Sequence, residues 1–556
     1  MALLCLLVLL LGAGLPLAPR LADTPWRRAA LTPFAGLLVL FLIGALLHGL
    51  RLPATWWPLV GLLATGGLWA GRREVKSWIQ DPATRTLLAH WALWALWLLG
   101  CLALIRHYSG GDWTNDWIGH YHRAQHILHQ SPTDAAFFAA DPFPSRPPLL
   151  NTITALVLGT VGDTFAHYQV VMTLLGSLAF FPARLLVREL CTGTTEDRAA
   201  RWLLVLLMAS PALMQNATFP WTKLGTAAWV LLAAVLTWRG LRHQHARDLQ
   251  LAGAAAAGAV VSHYSAAIYL VVALATLAWI ARRPEPRRLL LRALPWSAAL
   301  FAVVMGTWLL WSVGRYGWTT TFASNSTVSF AAEGDALRAF AINLLRTVVP
   351  APFLPPFDPS YVPPANVMAD WRDHRFHFYQ ETLPGMLGLT GLVVLVLSRA
   401  VWWPRLGAVV RQLGLPILAV VLLGIAAHTA PAAWGVAHIC LLTLPLAFVA
   451  GAAVLLAKLP SPRRVVLAAA LFFDLAAGIG LQLFIENARI TPGILAYGNG
   501  EPLLHAYGQT LWLNAAMQIR AGYTLLGEQL PGFAWAPLTL GLVALFITTF
   551  RRALRA

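Results

Sequence analysis

Thr86-Leu87-Leu88-Ala89-His90-Trp91-Ala92-Leu93-Trp94-Ala95-Leu96-Trp97-Leu98-Leu99-Gly100-Cys101-Leu102-Ala103-Leu104-Ile105 contains no Asp, Glu, Lys or Arg. Wound as an α-helix it covers about 30 Å, the thickness of a bilayer's hydrocarbon core. The segments 31–50, 294–314, 433–455 and 534–550 read the same way. Of the 556 residues 58% are hydrophobic and 11% charged, whereas soluble domains carry about 25% charged residues. A water-soluble fold is thereby excluded. The sequence predicts an all-α polytopic membrane protein.

The formal net charge of +17 would point to a polyanion partner in a soluble protein. Here the cations cluster between apolar segments, at Arg72-Arg73-Glu74-Val75-Lys76, Arg239 to Arg247, Arg282 to Arg292, Lys458 to Arg464 and Arg551-Arg552. Such clusters report topology and mark the cytoplasmic side, so no nucleic-acid partner is implied. Cys5, Cys101, Cys191 and Cys440 form no disulfide or metal framework. Met1 to Ala18 lacks a basic start and reads as an anchor, not a cleaved signal.

With the basic clusters inside, spans are expected near 2–18, 31–50, 53–70, 86–105, 166–188, 202–216, 223–239, 251–263, 265–281, 294–314, 384–399, 413–430, 433–455, 465–485 and 534–550. That is a bundle of roughly 13–15 transmembrane helices. The segment 149–162 is short for a span, and the cluster Arg184, Arg188, Arg198, Arg201 requires an odd number of crossings before it. It is therefore expected to lie in the interface or dip partway. Residues 1–85 form an N-terminal set of helices, 86–320 a central module, and 384–556 a C-terminal set. Three outer segments follow from this map, at 106–150, 315–383 and 486–533. No internal repeat is evident, so the repeat signature of many secondary transporters is missing.

The densest polar run is Gly111-Asp112-Trp113-Thr114-Asn115-Asp116-Trp117-Ile118-Gly119-His120-Tyr121-His122-Arg123-Ala124-Gln125-His126-Ile127-Leu128. Asn115 can cap a helix beginning at Asp116. At 100° per residue Asp116, His120 and Arg123 share one face, His122, His126 and His129 another, and Tyr121, Ala124 and Leu128 fill an apolar side. An acid just outside the membrane can act as general base towards a hydroxyl, with His or Arg orienting it or meeting a phosphate. Asp112 and Asp116 would equally serve a helix dipole. His122 and His126, at i and i+4, could reach one metal ion, while a solvated face explains them too. Downstream, the prolines of Asp141-Pro142-Phe143-Pro144-Ser145-Arg146-Pro147-Pro148-Leu149-Leu150-Asn151 place Arg146 at the membrane surface.

The order of these features resembles the C-type glycosyltransferase superfamily, in its protein-mannosyltransferase and aminoarabinose-transferase-like branch. The likeness rests on the acid-led helix Asp116 to Leu128, the Pro-Pro-Leu approach at Arg146 to Leu150, and a polar outer turn from Ser210-Pro211-Ala212-Leu213 to Trp221-Thr222-Lys223. It covers about residues 86–320. Resemblance implies a C-type bundle with outer interfacial helices and transfer of a sugar from a polyprenyl-phosphate carrier. The acceptor would be a glycan, lipid or protein on the non-cytoplasmic face. It also implies Asp116 as catalytic base, with Asp112 as second choice. Two departures are visible: Asn115 precedes Asp116 where the family pairs acids, and Thr222-Lys223 stands where a second acid is usual.

Lys223 suits the departing lipid phosphate, as do Arg123, Arg146 and Arg315. Lys223 and Arg146 could instead anchor in the interface. His263 and Tyr264 occupy the outer turn of the next helix pair and could join the donor site, or simply pack. Trp371-Arg372-Asp373-His374 alternates rings with cations in the second outer segment, a pattern that holds sugars and phosphates as well as membrane surfaces. Together with His120, Tyr121 and Tyr264 these are the candidate substrate contacts. No cofactor is required, and a divalent metal stays open at His122 and His126. A bacterial inner membrane with a periplasmic active site is the expected location. A flippase of lipid-linked sugars and an O-antigen-ligase-like enzyme are the alternatives. Asp474 lies within an apolar span, where an acid costs roughly 3 kcal/mol, and is expected to face protein.

Overall fold

Helix starts are written into the sequence as a capping side chain followed by proline. Thr24 Oγ1 accepts the Arg27 N–H, Asp81 Oδ2 the Thr84 N–H and Ser210 Oγ the Leu213 N–H, with Pro25, Pro82 and Pro211 in the first turns. The cap satisfies a donor the helix leaves open, and proline's fixed φ suits a position that needs no N–H. A computed structural model describes residues 1–105, 116–132, 142–191, 193–324, 336–349, 378–380, 382–428, 436–459, 461–480, 496–497, 501–502 and 524–555.

In chain order the principal helices are α1 (Ala2–Gly14), α2 (Pro25–Gly49), α3 (Trp57–Ala70), α4 (Arg72–Gln80), α5 (Pro82–Ala103), α6 (Asp116–His129), α7 (Leu149–Val161), α8 (Phe165–Ser177) and α9 (Phe180–Leu190). Then come α10 (Thr194–Ala209), α11 (Pro211–Thr218), α12 (Lys223–His243), α13 (Ala246–Ser262), α14 (Ala266–Ile280), α15 (Pro284–Ala323) and α16 (Ala336–Val348). The set closes with α17 (Leu383–Leu397), α18 (Arg399–Val409), α19 (Leu415–Ala426), α20 (Thr443–Lys458), α21 (Ser461–Gly480) and α22 (Trp535–Arg555). The extended pairing among the described residues is one two-residue antiparallel ladder, Ala496–Tyr497 with Glu501–Pro502. Seven helical stretches among the described residues are long and apolar enough to cross a membrane, and seven shorter apolar helices accompany them. The chain is an integral membrane protein.

Packing between apolar helices in lipid relies on close backbone approach, which small residues permit. The N-terminal helices use this device: a Cβ on Gly12 would run into the Ala64 carbonyl of α3, and one on Gly36 into the Leu10 carbonyl of α1.

Ion pairs gather the basic segments at one end of the bundle. Arg27 and Arg239 both bond Asp248, Arg239 also bonds Glu189, Arg28 pairs with Glu74, and Arg184 pairs with Glu196. Asp248 is buried, so neutralisation by two guanidiniums is what makes its burial tolerable. α2 runs from this basic end at Arg27 to the opposite end, where His48 meets His126 and Phe143. α12 returns from Lys223 to Arg239, and α13 goes back from Asp248 to His263.

Two spans differ from the sequence expectation. The apolar run 202–216 is two helices, because Ser210-Pro211 ends α10 and starts α11. The span expected at 294–314 is part of the longer α15, which continues past Arg315 to Ala323 across a break at Gly317. The helix therefore runs on past 315, where the sequence reading ended the span. α7 touches α6 at both its ends, through Asn151 and through Asp163 just beyond it. It therefore lies alongside α6 over its whole length.

Candidate functional site

The site lies at the end opposite the ion pairs and is built on α6. His120, Arg123 and His126 are buried on this helix, each a turn or less from the next. The Nδ1 of His120 meets Asn151 Oδ1 of α7 at 3.1 Å. Arg123 donates to its own helix at the Gly119 carbonyl (3.0 Å) and to Ser145 Oγ (3.0 Å). The His126 ring stacks on Phe143, centroids 4.4 Å apart. On the other side of α6, Asp163 collects three donors: Tyr121 Oη at 2.8 Å, Gln125 Nε2 at 3.0 Å and His129 Nε2 at 2.9 Å. These three sit at i, i+4 and i+8, one face of a helix.

Phe143 is the hub of an aromatic cluster. It is held between Pro142 and Pro144, and its ring lies 5.7 Å from Trp308, 5.9 Å from Trp311 and 6.4 Å from Tyr316, all on α15. His48 packs against Trp311 at 5.0 Å. Tyr264 Oη accepts from Trp308 Nε1 (3.2 Å) and donates to the Pro144 carbonyl (3.0 Å). Burial pushes the Tyr264 phenol above its ordinary value, with the Trp308 bond and the nearby Arg146 charge opposing. Burial also holds the His122 and His126 imidazoles down to about 4; for His126 the His48 ring and the Arg123 charge add to it, and for His122 the Arg123 charge does. Both rings are therefore neutral near pH 7.

Lys223 occupies a second patch of the same layer. It is buried at the start of α12, and its Nζ lies 3.7 Å from the centre of the Trp221 ring. His428 is close enough for the Lys223 charge to add to the burial that lowers its imidazole, against a hydrogen bond to the Gly424 carbonyl. The two patches are joined through Tyr168, whose ring is 5.1 Å from Tyr121 and whose hydroxyl donates to the Pro220 carbonyl at 2.7 Å.

The sequence-predicted residues thus divide into groups. His120, Arg123, His126, Arg146 and Tyr264 gather on the side of α6 that faces Phe143 and the 144–146 loop, whereas Tyr121 lies on the opposite side with Asp163. His263 turns back on its own loop, its Nδ1 2.8 Å from Ser265 Oγ. Arg315 is exposed on α15 beside Tyr316. The backbone of Asp116 begins α6, one turn before His120. Asp112, the Asn115 cap, Trp371, Arg372 and His374 lie outside the described residues. The histidines of the face that carries the candidate pair His122 and His126 go separate ways: His126 to Phe143, His129 to Asp163, and His122 half-buried. Among the described residues no group of three or more His, Cys, Asp or Glu is placed to hold a metal.

Sequence reading missed Phe143, Asp163, His48, Trp308 and Trp311. Phe143 and Asp163 each carried a signal, one as an aromatic set between two prolines and the other as an acid directly after an apolar helix. His48 and the two tryptophans are separated from α6 by a large part of the chain, and nothing local marks them.

No protein-family model matches the chain, and no curated protein matches it by sequence. Among solved structures the chain is similar to ArnT from Cupriavidus metallidurans. One such structure, bound to undecaprenyl phosphate, shows 15% identity over 85% of this chain and 76% of that one, with a TM-score of 0.46. The apo state of the same protein shows 14% identity over the same shares, with a TM-score of 0.46.

Proposed function

We propose that the chain is an integral membrane glycosyltransferase of the C-type fold, taking a sugar from a polyprenyl-phosphate carrier on the outer, periplasmic face of a bacterial inner membrane. The observation that carries this reading is the anchored helix α6. It starts with Asp116 and is fixed on one side by Asp163 and on the other by Arg123, His120 and His126, at the end away from the ion-paired basic segments. A catalytic carboxylate gains from such anchoring because a base must be held within hydrogen-bond reach of the proton it takes.

In the proposed reaction an acceptor hydroxyl of a glycan, lipid or protein attacks the anomeric carbon of the donor. Its proton passes to Asp116, the new glycosidic C–O bond forms with inversion, and the bond from the sugar to the carrier phosphate breaks. The lipid phosphate leaves with the bonding electron pair. Lys223 is the cation best set to meet that charge, since its ammonium is held by Trp221 at the start of α12. Arg146 and Arg315 are further donor contacts. Arg123, already bound to Gly119 and Ser145, serves the shape of the loop.

The flippase alternative draws on one observation, a helix broken at Gly388 beside the buried Asp474. Transporters pair such breaks with ionisable partners, whereas Asp474 bonds backbone amides. The test is the purified full chain with a panel of polyprenyl-phosphate sugars, comparing wild type with Asp116→Asn. Release of lipid phosphate is expected in the wild type and loss of it in the variant. Release that persists undiminished in the variant removes Asp116 as base. Movement of lipid-linked sugar across vesicles without covalent transfer replaces the enzyme with a flippase.

A further inference from the structure

The turn between α17 and α18 faces the membrane at the basic end of the bundle. Its position follows from packing. Arg198 donates to the Ala457 carbonyl, which sets the end of α20 beside the Arg184–Glu196 pair. α21 begins there and reaches the opposite end, where Gly478 meets Met214 and Pro211 of α11. α17 packs on α21 near its outer start, with Leu389 and Thr390 bonded to Asp474. Its last residues, and Arg399 after them, therefore lie at the basic end.

At this turn a groove of about 490 Å³ opens between Val396, Leu397, Arg399, Ala400, Trp403 and Pro404. Val396 and Trp403 are exposed large apolar side chains, 74% and 54% accessible, of the kind that meet lipid. The Arg399 guanidinium lies 5.0 Å from the centre of the Trp403 ring. Arg405 and Arg411 follow in the sequence, and no acid occurs between Arg399 and Arg411. An apolar wall, an interfacial indole and a guanidinium without a carboxylate partner among the described residues are the three elements that an acyl chain, a glycerol level and an anionic headgroup require.

We propose that this groove is a binding site for a phospholipid with an anionic headgroup, in the leaflet at the basic end of the bundle. The phosphate contacts Arg399, and the upper acyl chain lies along Val396 and Leu397. Trp403 separates the two levels. The rest of the membrane border has similar stacks, Arg72 over Trp69 at 4.5 Å and Arg282 over Trp279 at 4.2 Å, which provide an internal control.

Native mass spectrometry of the full chain in detergent, titrated with phosphatidylglycerol or with phosphatidylcholine, tests this. The wild type is expected to retain one phosphatidylglycerol more tightly than phosphatidylcholine. Arg399→Gln should weaken that binding about fivefold, and Arg72→Gln should leave it within about twofold. Trp403→Leu, which keeps the cation, should also weaken it. Equal weakening by Arg399→Gln and Arg72→Gln overturns the proposal in favour of diffuse surface charge. Equal retention of the two lipids by the wild type overturns it as well.

Discussion

The carboxylate of Asp474 accepts the backbone N–H of Thr390 at 2.7 Å, and that of Leu389 at 3.1 Å, capping a helix segment that belongs to another part of the chain. α17 breaks at Gly388, and the segment after the break presents open N–H groups inside the bundle. In lipid no water can satisfy them. Asp474 is therefore a structural cap facing protein, the role expected of an acid within an apolar span. Asp474→Ala should cost about 2–3 kcal/mol. Asp474→Asn should cost less, because its carbonyl oxygen still accepts one N–H. Denaturant unfolding in detergent measures both, and equal losses would mean that a single amide oxygen cannot stand in for the carboxylate, so that both of its hydrogen bonds are needed.

Gly388 makes the same junction possible from the other side. Its φ is +67°, and a Cβ built there would lie 2.6 Å from Asp474 Oδ2. Gly388→Ala should destabilise by about 1–3 kcal/mol through backbone conformation and contact together. Part of that cost should vanish in the Asp474→Ala background, where the carboxylate is gone. A double-mutant cycle with no coupling between the two sites would contradict this.

Asp163 holds α6 from outside the bundle core. Because it is partly exposed, each of its bonds contributes modestly, and Asp163→Ala should cost about 1 kcal/mol of overall stability. The local effect should be larger than the global one. Amide exchange across residues 116–132 is expected to speed up while exchange in α12 and α13 stays unchanged. Uniform acceleration through the whole chain would show that Asp163 supports the bundle and not the loop.

Acid should loosen the same helix. His122 and His126 have folded-state values of about 4, below the ordinary 6.5, because burial disfavours the charged ring. A depressed histidine keeps its full stabilising contribution above pH 6.5 and loses it as pH falls towards 4, since the unfolded chain takes up protons first. Protease cleavage within α6 is therefore expected to rise between pH 6.5 and 4. His126→Gln should flatten that rise. Cleavage independent of pH in this window would refute the linkage.

What the sequence made legible follows from the range of the forces involved. Thr24-Pro25, Asp81-Pro82 and Ser210-Pro211 start helices by capping within one turn, whereas apolar length alone put the spans at 31–50, 86–105 and 202–216. The apolar lengths and basic clusters set the order and direction of the helices, since lipid imposes them on each segment separately. The start of α6 at Asp116 was also readable from a short polar run, whereas Tyr264, expected beside Lys223, bonds the Pro144 carbonyl instead. The Phe143 hub was not readable. Its partners His48, Trp308 and Trp311 come from helices that are brought together only by packing. The continuation of α15 past Arg315 was missed as well: the apolar run ends before Arg315, but the helix goes on to Ala323 across a break at Gly317.

Lys223 is the residue on which the donor half of the proposed site turns. Its ammonium is buried over the Trp221 ring, an arrangement that fits either an anchor or a phosphate ligand. The two roles differ in what substitution does. A phosphate ligand needs the charge, so Lys223→Gln should raise the KM for the lipid-phosphate donor about tenfold or more, while Lys223→Arg stays within about threefold. Trp221→Leu keeps the charge but frees its position, and should give an intermediate rise. An anchor would show the reverse order, because the stack and not the charge would hold the turn. Unfolding of Lys223→Gln should shift by less than about 1 kcal/mol, since the amide still packs on the indole. An unchanged donor KM with a lowered melting temperature would assign Lys223 to the fold alone.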